Sequence, residues 1–149
     1  MNRIPASTLE QEAAGLPLPL NGEDPLFAPH LRALAHGELL VRQCMSCRTK
    51  QWPPRPFCRH CQSEDFSWIQ APGAGTIASF SIAYRAFHPS YVDHLPAATA
   101  LVDVEPGIRI AGRWVGELDE LEIGANARLV VDDWAEHGVS AAWSRVEGQ

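Results

Sequence analysis

At 149 residues the chain has the size of one ordinary domain, or of a small module joined to a compact one. Its 46% hydrophobic and 20% charged residues are a globular composition, and no apolar run approaches the ~20 residues of a membrane helix, so a soluble protein is expected. A net charge of −6, from 12 basic and 18 acidic residues, argues against a general nucleic-acid binder.

Residues 1–23 contain acids and prolines and no apolar signal core, and read as a flexible N-terminal arm in a cytoplasmic protein. Asp24 followed by Pro25 is a helix-start signal. Phe27, Leu31 and Leu34 recur at helical spacing and Gly37 supplies a stop, so a short amphipathic helix is predicted from about Pro25 to His36. Glu38–Gln43 is a short strand that leads into the stretch CMSCRTKQWPPRPFCRHC, which holds all 4 cysteines of the chain.

That stretch pairs Cys44 with Cys47 and Cys58 with Cys61, two Cys-x-x-Cys knuckles separated by 10 residues. Each knuckle aims two thiolates at one centre, and two of them complete the tetrahedron of a structural Zn²⁺ site that has no open position for water. A four-cysteine iron site of rubredoxin type uses the same geometry, whereas disulfides would require an oxidising compartment. Pro53, Pro54 and Pro56 forbid the helix that a thioredoxin-like redox motif would need. Trp52 is expected to cover the metal cluster or meet a partner, and His60 to face solvent. From Arg42 to Cys61 there are five basic residues and no acid, and part of this charge offsets the thiolates.

Beyond Gln62 the signals are those of strands. Phe66–Gln70 alternates, Pro72-Gly73-Ala74-Gly75 breaks the chain, and Thr76–Tyr84 is a clear strand. After a loop from Arg85 to Pro96, strands are predicted at Ala97–Val104, Ile108–Val115, Ala127–Asp133 and Val139–Val146. Five or six short strands in this length indicate a small antiparallel barrel, best matched by an OB-fold. The predicted organisation is an arm (1–23), a helix plus zinc ribbon (24–65) and a mainly β OB-fold domain (66–149).

The Cys-x-x-Cys pair, then Trp52-Pro53-Pro54-Arg55-Pro56-x-Cys58-x-x-Cys61, then Gly73-x-Gly75-Thr76-x-x-Ser79-Phe80 resemble the DUF35 family. Ile123-Gly124 before the strand at Ala127 fits as well, and the likeness runs from about Pro25 to Val146. The chain departs from the family at its ends, in its first 20 residues and at Trp143-Ser144-Arg145. The resemblance implies a rubredoxin-like zinc ribbon followed by an OB-fold, in a non-catalytic subunit that pairs with thiolase-like or hot-dog hydratase enzymes acting on acyl-CoA thioesters. In such a hetero-oligomer Phe27, Leu31, Trp52 and Tyr91 are the candidate partner contacts. Arg48, Lys50, Arg55 and Arg59 are the candidates for holding CoA phosphates, which arginine binds bidentately.

The chain's own residues are consistent with an auxiliary role. There is no Gly-x-Ser-x-Gly elbow and no phosphate-cradling glycine loop, and the cysteines are committed to metal. One polar loop remains, with His88, Tyr91, Asp93 and His94 close together, from which a stand-alone thioesterase or acyltransferase could be built. A second alternative is a single-stranded nucleic-acid binder that stacks bases on Phe80, Tyr84 and Trp114. Residues 62–149 carry five arginines against thirteen acids, a poor surface for phosphates.

Overall fold

The computed structural model describes residues 26–86, 89–131 and 140–147. The arm, the Asp24-Pro25 signal and His88 therefore lie outside the described residues, as do residues 132–139. Helix α1 (Ala28–Leu34) is shorter than predicted and follows Phe27, which gives no side-chain cap. Pro29 has no N–H to donate and is tolerated only in the first turn, so the described helix begins just before it. The expected stop holds: Gly37 sits at φ 75, with Gly37 N–H donating to Leu34 O (3.0 Å) and Glu38 N–H to Ala33 O (3.0 Å).

Strand β1 (Leu39–Cys44) is the centre of a three-stranded sheet ordered β2-β1-β3, with β2 at Lys50–Gln51 and β3 at Phe66–Ala71. Sequence reading grouped Phe66–Gln70 with the barrel half. In the structure β3 runs antiparallel to β1 along its whole length, from Leu39 opposite Ala71 to Cys44 opposite Phe66. The reason is the second knuckle, which returns the chain beside β1 before the barrel can begin. Arg42 secures this pairing by laying its guanidinium over Phe66, 3.9 Å from the ring centroid, while Nη1 donates to the Arg55 carbonyl at 2.7 Å.

The remaining strands, β4 (Ala74–Ala83), β5 (Ala97–Glu105), β6 (Ile108–Trp114), β7 (Asn126–Val130) and β8 (Ala142–Arg145), close a barrel in the order β4-β5-β6-β8-β7. That is the OB-fold arrangement. A ring of five strands cannot alternate direction all the way round, so one seam must be parallel, and it is β6–β8. The break predicted over Pro72–Gly75 is limited to two residues, because Ala74 and Gly75 already pair with Arg128 and Ala127 of β7. Gly75 lies where β4 turns from β7 to β5, and a Cβ there would overlap the Asp103 carbonyl.

Simple alternation along β4 puts Ile77 on the opposite face from Phe80 and Ile82. A bulge resolves this conflict: the register with β5 shifts between Ile77 and Ser79, leaving Ala78 as the extra residue. Ile77 and, past the bulge, Phe80 and Ile82 then all reach the core. On β5 and β6 the period of two is regular, burying Ala98, Ala100 and Val102 with Ile108, Ile110 and Trp114. One apolar cluster runs from Leu31 and Leu34 of the helix through Leu39, Val41 and Ala71 of the ribbon sheet into the barrel around Trp143. Among the described residues no helix is long and apolar enough to cross a membrane.

Candidate metal centre

The two knuckles are built alike. Cys44 and Cys58 each donate a backbone N–H five residues ahead, to Thr49 O (2.9 Å) and Ser63 O (2.8 Å). Each also accepts at its carbonyl from the residue four ahead, Arg48 (2.9 Å) and Gln62 (3.0 Å). Those two residues have φ of 64 and 67, the left-handed conformation that turns each loop sharply enough to aim both sulfurs inward. Arg48 thus has a backbone role that its side-chain chemistry did not announce.

The four Sγ atoms lie within 4.8 Å of one another, with Cys44–Cys61 and Cys47–Cys58 each at 3.6 Å. A tetrahedron with Zn–S bonds of about 2.3 Å has edges of about 3.8 Å, so the sulfurs already outline the site. Cys44 and Cys58 are buried, Cys47 is intermediate and Cys61 is exposed. The Thr49 hydroxyl, followed by its backbone N–H, draws the Cys47 thiol down to about 5. Backbone N–H groups of the knuckle, Cys47 first, also lower Cys44. At Cys61 the Ser63 N–H pulls down, but desolvation and the neighbouring sulfurs outweigh it and push the thiol up to about 12. Sulfurs this close cannot all ionise against one another, and a divalent cation removes the conflict by taking the place of the remaining protons. The donor set, its spacing and its closed geometry fit a structural Zn²⁺ held by Cys44, Cys47, Cys58 and Cys61.

Around the metal centre the predicted contacts sort themselves. The Trp52 ring stacks on His30 (centroids 4.1 Å) and meets Phe27 edge-on (6.1 Å), fastening the helix to the ribbon. Leu31, 5% exposed, packs in the core. Lys50 is held by Glu105 at 2.8 Å, a bridge between ribbon and barrel. Arg48, Arg55, Arg59 and His60 are all exposed.

Three residues escaped sequence reading. Buried His30 binds the Leu40 carbonyl through Nδ1 (2.8 Å), and burial pushes its pKa down. Buried Gln51 donates to Phe57 O (3.3 Å) and accepts from Arg59 N–H (3.2 Å), tying the proline-rich spacer to the second knuckle. Phe57 is 49% exposed between Arg55 and Arg59. An aromatic flanked by prolines and a metal ligand was the available signal, since it has little chance of turning inward.

The histidine loop forms a 3₁₀ turn, Pro89–His94, with Tyr91 half-buried and Asp93 and His94 exposed. His94 borders a cavity of about 380 Å³ with Pro96, Arg113, Trp114 and Leu118 at one end of the barrel. The stacking platform expected of a nucleic-acid binder does not assemble. Trp114 is 4% exposed with Nε1 donating to Glu117 O (3.0 Å), Phe80 packs on the core, and Tyr84 alone is 72% exposed.

Residues 32–67 match the family model of the ChsH2 rubredoxin-like zinc ribbon domain, and residues 68–132 that of the ChsH2 C-terminal OB-fold domain. A protein of Thermomonospora curvata described as a probable enoyl-CoA hydratase alpha subunit is 34% identical over 129 residues, 85% of this chain. The chain spans only 38% of that subunit's length. A solved structure described as an Ltp2–ChsH2(DUF35) aldolase is similar at 28% identity with a TM-score of 0.69, covering 82% of this chain and 95% of the matched one. A DUF35 protein of unknown function from Sulfolobus solfataricus shares the fold, with a TM-score of 0.55 at 19% identity over 83% of this chain and 87% of that one. With a ChsH2-type zinc ribbon and a ChsH2-type OB-fold joined in that order, the chain belongs to the DUF35 family.

Proposed function

We propose that the chain is an accessory subunit of an enzyme acting on acyl-CoA thioesters, docking on a thiolase-like or hydratase partner that supplies the reacting groups. One observation carries this reading: the same ribbon–barrel unit recurs beside two different chemistries, in a relative described as a hydratase subunit and in one described as an aldolase. A module common to water addition and to carbon–carbon chemistry contributes what the two share, which is assembly or substrate handling. The rigid, basic end of the ribbon supports the same reading. There Arg55, Phe57 and Arg59 stand outward on a backbone stiffened by prolines and held by zinc and Gln51. An exposed aromatic between two arginines suits a protein interface, and the arginines with Arg48 also suit the phosphates of CoA. Lys50 serves Glu105 instead, and Phe27 and Trp52 act by shaping the ribbon. Tyr91 belongs to the turn beside the barrel mouth and extends the same role to the OB-fold.

The test is co-expression of the tagged chain with thiolase-like and hydratase candidates, followed by co-purification and titration. A stable complex is expected, with Arg55→Glu and Phe57→Ala each weakening it about tenfold or more at unchanged zinc content. Acyl-CoA turnover by the isolated chain, lost in His94→Ala, would replace this reading with that of a stand-alone enzyme. Failure to retain any CoA-handling enzyme would end it.

A further inference from the structure

The two knuckles are near-copies, 14 residues apart: Cys44 and Cys58, Cys47 and Cys61, Arg48 and Gln62, Thr49 and Ser63. The likeness fails at the hydroxyl that follows each second cysteine. In the first knuckle the Thr49 hydroxyl lies 3.2 Å from Cys47 Sγ, and the Thr49 N–H also reaches that sulfur. In the second, the Ser63 N–H still reaches Cys61, but the Ser63 hydroxyl is turned away, accepting from Ser46 Oγ (2.9 Å) and from Asp65 N–H (3.1 Å). Cys61 therefore lacks the hydroxyl bond that its counterpart keeps, and it is the one exposed cysteine of the four.

On a zinc-bound thiolate, hydrogen bonds spread the sulfur's charge and burial blocks approach, so an exposed ligand with few bonds is the better nucleophile; Cys58, which accepts from the His60 N–H (3.4 Å), is buried. From this asymmetry we propose that Cys61 is the ligand at which soft electrophiles attack the zinc centre, and that the metal leaves through it. With a maleimide, the Cys61 sulfur forms an S–C bond to the alkene and the resulting carbanion takes a proton from water. The sulfur becomes a neutral thioether, which binds Zn²⁺ poorly, and the three remaining thiolates no longer close the tetrahedron. Ser46 and Ser63 also lose their place, because their hydrogen bond spans the two knuckles.

The test uses the zinc-loaded full chain and less than one equivalent of N-ethylmaleimide, with peptide mapping by mass spectrometry and zinc release followed by a chromogenic chelator. Cys61 is expected to carry the first adduct about tenfold faster than Cys47, the difference of one charge-assisted hydrogen bond, with zinc released in step. In Thr49→Val, Cys47 loses its hydroxyl and the gap between the two rates narrows. A first adduct at Cys47, equal labelling of the two, or zinc retained after Cys61 is labelled would overturn the proposal, and the wild-type map alone is decisive.

Discussion

Two residues, one in the barrel and one in the helix before the ribbon, show how much single positions constrain this fold. Gly112 on β6 faces the barrel interior, where an added Cβ would sit 2.6 Å from Ala141 O and 2.7 Å from the Trp143 ring. The fully buried indole occupies the space that glycine leaves open. Gly112→Ala is expected to cost about 1–3 kcal/mol, the usual penalty of overpacking, read as a lower midpoint in urea. An unchanged midpoint would mean that the ring moves without strain. His30 is 3% exposed and its folded pKa lies below the usual 6.5 because burial disfavours the imidazolium. The unfolded chain then binds more protons than the folded one once pH falls below about 6.5, so this group's contribution to stability is lost on acidification and complete above it. Thermal melts between pH 7.5 and 5 should show the loss, and His30→Asn should flatten this part of the profile. A profile the variant leaves unaltered would assign the acid sensitivity elsewhere.

At the scale of elements, the knuckle end of the ribbon is expected to depend on its metal. Strand β2 has two residues, and the spacer is held by a few side-chain bonds from Gln51 and Arg42. Structural zinc contributes on the order of 10 kcal/mol or more of apparent binding energy in small domains. Chelation, or Cys58→Ser, is therefore expected to remove amide-exchange protection from the knuckles and β2 while β4–β8 keep theirs. Protection retained at Cys44 and Cys58 N–H without metal would refute the dependence. The barrel stands apart because its ladder closes on itself, leaving no strand of the five without two neighbours.

Across the whole molecule the two parts are not independent. Lys50 Nζ meets Glu105 Oε2 at 2.8 Å, with side-chain exposures of 36% and 19%, and the apolar cluster is continuous between them. Lys50→Met leaves a half-buried carboxylate without its cation and should cost about 1–3 kcal/mol, whereas adding Glu105→Leu should restore most of it. The double-mutant comparison in urea checks this, and equal losses in the single and double variants would show that the stranded carboxylate is not what costs stability. In a docked complex such a bridge would keep the ribbon's basic end at a fixed angle to the barrel.

The metal centre was legible in the chain because two Cys-x-x-Cys pairs are local: the ligands of each knuckle lie three residues apart, and short-range geometry aims them. The helix stop at Gly37 and the strands β5 and β6 were legible for the same reason, since their signals repeat every few residues. The assignment of β3 to the ribbon sheet, the bulge at Ala78 that carries Phe80 and Ile82 to the core, and the parallel β6–β8 seam were decided by the tertiary structure. Each depends on which strand lies alongside, over tens of residues of separation, and no local pattern encodes that. The same holds for the residues around the metal. Sequence supplied Trp52, Lys50 and Leu31 as outward-facing candidates, but packing turned Trp52 onto His30, paired Lys50 with Glu105 and buried Leu31, leaving Phe57 between its two arginines on the surface. The amino-acid sequence by itself determined a four-cysteine metal site, its ligands and a β-rich partner domain. Which side chains face outward was settled only when the chain closed on itself, because burial belongs to the assembled core and not to any one segment.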